Sequence, residues 1–153
     1  MSAAGEIDPA IRQYRMADYV ELLAPAAAEG DDIWCLRLIL NEFGHFFCHA
    51  NTAEREILVG AEPEPFDRRW DAFLAGYAEF LCATAGLQAP PWALDSGRYL
   101  DEGWVAGCSF PDERQWRIDT TPPQFAAHGV HYPAEHLLVD GVAVVNPPPP
   151  PAS

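Results

Sequence analysis

Residues 66–86, FDRRWDAFLAGYAEFLCATAG, decide how the rest of the chain is read. Trp70, Phe73, Leu74, Tyr77, Leu81 and Cys82 recur at i, i+3, i+4, i+7, i+11 and i+12, one apolar stripe at the helical period. The spacing predicts an amphipathic helix from Phe66 to Ala85, with Gly86 placed to close it in the left-handed conformation. Trp70 and Phe73 lie on the stripe and are expected in the core, not in a cofactor site.

Upstream, the acidic connector Ala61–Pro65 (AEPEP) leads back to Asn51-Thr52-Ala53-Glu54, which has the spacing of a capping box and predicts a short helix to about Leu58. Asp31-Asp32 caps a longer helix, Ile33 to His49. Its Trp34, Leu36, Leu38, Ile39, Leu40, Phe43, Phe46 and Phe47 cover more than one face, so it is expected at the centre of a bundle. Asp8-Pro9 reads as a helix start, with amphipathic helix to Leu23 that Pro25 is expected to break or kink and Glu29-Gly30 to end.

Downstream, from Pro90 to Leu138, aromatics, prolines and isolated charges follow neither a helical nor a strand period. Only tertiary contacts can fix such a block, and it is expected to wrap the bundle. Within it, Thr121-Pro122 starts a short helix ended by Gly129, Val130-His131-Tyr132 reads as extended, and Pro133 opens a last short helix through Leu138. The expected fold is mainly α: a compact helical bundle (8–86) followed by a loop-rich Trp/Pro segment (87–140) with short helices and at most a minor β-hairpin. Together these form one domain, between a flexible leader (1–7) and a disordered Pro-rich tail (141–153) ending NPPPPPAS.

The chain of 153 residues is 49% hydrophobic, enough for a real core, and carries a net charge of −14. All nine basic residues are Arg, and only Arg68 and Arg69 are adjacent. A surface that neutralises phosphates needs clustered basic residues, so direct nucleic-acid binding and anionic membranes are disfavoured. A basic protein partner suits the charge, as does a negative surface that imitates nucleic acid, and acidity that serves solubility alone is the other reading. No run of about 18 apolar residues suggests a membrane span. Cys35, Cys48, Cys82 and Cys108 are scattered without a C-x-x-C, and acidic and basic residues interrupt the N-terminus, so a cytoplasmic protein with reduced thiols is expected.

Candidate chemistry is sparse. His45 and His49, four apart on a predicted helix, are the one pair with metal-ligand spacing, and Glu42 or His131 would have to supply a third ligand. The surroundings of the pair are greasy, and core or interface histidines are the favoured reading; no cofactor is expected. His128, His131 and His136 flank a turn without compact ligand spacing. Neither a Gly-rich phosphate loop nor G-x-S-x-G is present, and Cys35, Cys48 and Cys82 fall on apolar helix faces where a thiol is inert.

The run WDAFLAGYAEFL from Trp70, then APPW, RYLDEGWV and TPPQFAAHGVHYPAEHL to Leu137, resembles a family of small helical proteins of actinobacteria. The absence of Lys, which fits GC-rich coding, agrees with that source. Members of the family are often encoded beside a nucleotidyltransferase of the toxin–antitoxin or phage-defence kind. Pro91-Trp92, Arg98, Leu100, Trp104, Phe125, Gly129 and Leu137 are the matching anchors, and they look like folding determinants; no catalytic motif carries over. The chain departs from the pattern at Ala126, Ala127 and His128, where the family has a basic run.

The resemblance implies a non-enzymatic, antitoxin-like protein that neutralises a basic nucleotidyltransferase-like partner. Trp92, Arg98, Trp104, Phe125, His128 and His131 are the expected contact residues, because Trp and Arg dominate interface hot spots. A small metal- or histidine-dependent enzyme using His45 and His49 is the second reading, and a homodimeric accessory protein the third.

Overall fold

The computed structural model describes residues 15–107, 110–139 and 142–143. The expected leader, the helix start at Asp8-Pro9, Cys108 and all of the expected Pro-rich tail except residues 142–143 lie outside them. The fold is mainly α, as the sequence predicts.

A 3-10 turn (Met16–Tyr19) runs into α1 (Val20–Ala28), which ends at the turn Glu29–Asp31. Pro25 does not break α1. It sits on the exposed side five positions after Val20, where its missing N–H forgoes a single helical bond, to the Glu21 carbonyl, and its ring projects into solvent. Then α2 (Asp32–Leu36), capped by Asp31, passes into a π-helical stretch (Arg37–Phe43) and on into α3 (Gly44–His49). The wider turn places three consecutive side chains, Leu38, Ile39 and Leu40, in the core along with Phe43.

Next comes α4 (Thr52–Gly60), whose capping box forms as its sequence requires. The Asn51 side chain accepts from the Glu54 N–H, and Glu54 accepts from the Asn51 N–H, both at 2.9 Å.

The helix predicted from residues 66–86 is α5 (Arg68–Ala85). Asp67 Oδ1 caps it by accepting from the N–H groups of Arg69 (3.0 Å) and Trp70 (3.2 Å), and Gly86 closes it at φ 72°. It is not simply amphipathic. Every residue from Trp70 to Ala78 is buried, which makes α5 the central helix in place of residues 33–49. The face opposite the aromatic stripe carries Ala72, Ala75 and Gly76, small enough for the wrapping segment to pack against it, as Phe125 does at Gly76. By contrast, the first turn of α2 leaves Ile33 and Trp34 outside the core.

The segment after Gly86 is built of short elements: 3-10 turns (Pro91–Leu94, Ser96–Arg98, Pro111–Glu113 and Ala134–Leu137), α6 (Arg114–Asp119) and α7 (Pro123–Ala127), of which Pro91–Leu94, Ser96–Arg98 and α7 pack on α5. Strand β1 (Trp104–Val105) pairs in parallel with β2 (Val130–His131), a pairing the sequence did not suggest. An antiparallel pair, β3 (Leu138–Val139) and β4 (Val142–Ala143), forms a minor hairpin that reaches past residue 140 into the stretch expected as disordered tail.

Candidate functional site

Most of the side chains expected to meet a partner turn inward. Arg98 is 2% exposed, although it is charged. One of its terminal nitrogens donates to the Pro63 carbonyl (2.6 Å) and to Glu62 (3.3 Å), and the other lies 3.8 Å from the Asp71 carboxylate. Its guanidinium also stacks over Trp92 at 4.9 Å. Trp92 is itself buried, its indole N–H donating to the Val59 carbonyl (2.8 Å). Phe125 is buried edge-on to Phe73 at 5.2 Å. Asp71 sits in the same knot, and desolvation holds its carboxyl above the ordinary range despite the N–H groups of Phe66 and Asp67 and the charge of Arg98.

His128 is fully buried and stacked on Tyr99 at 4.3 Å. Its Nδ1 faces the Arg98 carbonyl at 2.7 Å, an atom that only accepts, so Nδ1 must carry the proton and donate. Its Nε2 meets the Glu79 carboxylate. With both nitrogens hydrogen-bonded within the fold, His128 clamps the wrapping segment to α5.

Trp92, Arg98, Phe125 and His128 therefore hold the fold and offer no contact surface, which corrects the expectation from their residue types. Burial of aromatic and hydrogen-bonding bulk is what fixes an aperiodic segment in place. Trp104 and His131 are half-buried: Trp104 packs on Trp70 (5.1 Å) beneath the Arg69 guanidinium, and His131 Nδ1 is buried without a hydrogen-bond partner. Desolvation, aided by the charge of Arg114, lowers the His131 pKa.

His45 and His49 do share a face, their ring centroids 4.5 Å apart, and both are exposed. Among the described residues no group of three His, Cys, Asp or Glu side chains is placed to hold a metal, so neither Glu42 nor His131 joins the pair. A hollow of about 410 Å³ between α4 and the Leu87–Pro91 loop is lined in part by Cys82, whose thiol burial pushes up to about 11, leaving it protonated and weakly nucleophilic.

The surface that sequence reasoning missed lies at the α1–α2 hairpin. A groove of about 400 Å³ there is lined by Leu22, Pro25, Ala26 and Trp34 and rimmed by Glu21, Glu29 and Asp31. Leu22 is 52% exposed and Trp34 48%, with Ile33 beside them at 53%. The available signal was excess: residues 33–47 carry more apolar side chains than one helix can turn inward, and the surplus falls in the first turn. No helix of the described residues is long and apolar enough to cross a membrane. Comparison with known proteins finds no family model that matches the chain, and no curated protein or solved structure similar to it.

Proposed function

We propose that the protein works by binding another protein, as an antitoxin-like neutraliser of a basic nucleotidyltransferase-type partner. The observation that carries this reading is a net charge of −14 on a chain whose α1–α2 hairpin exposes Leu22, Ile33 and Trp34 between carboxylates. An enzyme that handles nucleotides or RNA presents a positive site, and an acidic protein is steered to it quickly and covers it. The wrapping block has a different part in this reading: it fixes the scaffold, and the hairpin makes the contact.

Co-expression with the protein encoded in the adjacent reading frame is the direct test. Relief of the neighbour's toxicity and co-purification of the two chains are expected. A neighbour that stays active, with this chain eluting alone, would remove the reading.

A further inference from the structure

We infer that the groove between α1 and the first turn of α2 is the docking site for a basic amphipathic helix of a protein partner. The inference rests on the protein-binding reading above and narrows it to one surface and one kind of ligand.

The floor and walls are apolar: Ala26 is 7% exposed at the base, and Leu22, Pro25 and Trp34 line the sides. Two helices joined by the short turn Glu29–Asp31 leave a trough between them, and a third helix packs into such a trough through apolar side chains spaced three and four residues apart. An exposed Trp beside Leu is the kind of anchor that contributes most to binding energy.

The rim selects the charge. Glu21, Glu29 and Asp31 are the charged residues lining the groove, and all three are acidic. A partner helix with Arg or Lys beside its apolar stripe satisfies these groups. A second copy of this chain does not, because a two-fold interface sets a patch against itself and would oppose the three carboxylates with the same three.

The probe is a synthetic amphipathic helix of Leu, Ala and Arg, set against a scrambled peptide of identical composition. Binding is read by amide chemical shifts and by Trp fluorescence on the full chain. The helical peptide should shift residues 20–36 and bind at least tenfold more tightly than the scramble. Leu22→Ser with Trp34→Ser should weaken it at least tenfold, and both sites are exposed enough that the fold survives. Glu21→Gln with Glu29→Gln should weaken it severalfold and flatten its dependence on salt.

Equal binding of the scramble, shifts centred elsewhere, or an unaffected Leu22/Trp34 variant would overturn the inference. So would a dimer of the native chain that the same variant dissociates, since the occupant would then be a second copy. The two readings fail separately. A Leu22/Trp34 variant that still neutralises the neighbouring protein removes the groove and leaves the proposed function. A native chain that binds the peptide but does not neutralise the neighbour removes the function and leaves the groove.

Discussion

At the scale of single residues, the buried charges carry the sharpest consequences. Arg98 joins the 61–65 connector, the first turn of α5 and Trp92, so Arg98→Met leaves Asp71 ionised inside the protein with no opposing charge. Breaking a buried pair in this way costs about 3–5 kcal/mol. The loss should depend on pH, because the raised Asp71 pKa means ionisation is already unfavourable in the folded state and protonation relieves it. Urea unfolding at pH 7 and pH 4 checks this: the gap between native and variant proteins should shrink at the lower pH, and an unchanged gap would refute the assignment. His131 titrates with the opposite consequence. Its pKa is held below the ordinary 6.5, so the unfolded chain takes up a proton first on acidification, and the stability present above pH 6.5 is lost as pH falls through that value. His131→Asn should lose less stability than the native chain between pH 7.5 and pH 5.5. These roles were only half legible: Arg98 and His128 were marked out by type, but nothing local says that a charged residue lies inside.

At the scale of elements, α5 is the case where period and packing part company. Its stripe from Trp70 to Cys82 gave the helix and Gly86 gave its end, whereas the start expected at Phe66 falls at Arg68, where the Asp67 side chain caps the first turn. The other face looked exposed because Ala and Gly carry no strong signal, yet α7 crosses there. At Gly76 an added Cβ would lie 3.1 Å from Phe125 Cδ1 and 3.2 Å from Phe125 Cα. Ala is favoured over Gly within a helix by about 1 kcal/mol. Overpacking against backbone costs about 1–3 kcal/mol. Gly76→Ala is therefore expected to destabilise by up to about 2 kcal/mol; a higher melting temperature for the variant would show that α7 yields freely. The π-helical stretch in residues 37–43 was likewise invisible, since its apolar residues fit an ordinary α-helix equally well.

At the scale of the whole molecule, charge sets the terms of association. The Debye length falls from about 10 Å at 0.1 M salt to about 3 Å at 1 M. Binding of a basic partner should accordingly slow and weaken as salt rises, with the association rate falling more than the dissociation rate rises. Stopped-flow association rates that do not change with salt would argue for an uncharged interface. The sequence by itself determined the α class, the caps at Asp31, Asn51 and Gly86, and the aromatic stripe of α5, because each depends on residues within a turn or two of one another. It also determined the acidity, which is a sum over residue types. Tertiary structure alone decided that α5 is the central helix, that Trp92, Arg98, Phe125 and His128 turn inward, and that Leu22 and Trp34 stay outside. Burial is a competition among all the apolar surface of the chain for one interior. Its outcome depends on partners tens of residues away, such as Val59 for Trp92 and Glu79 for His128.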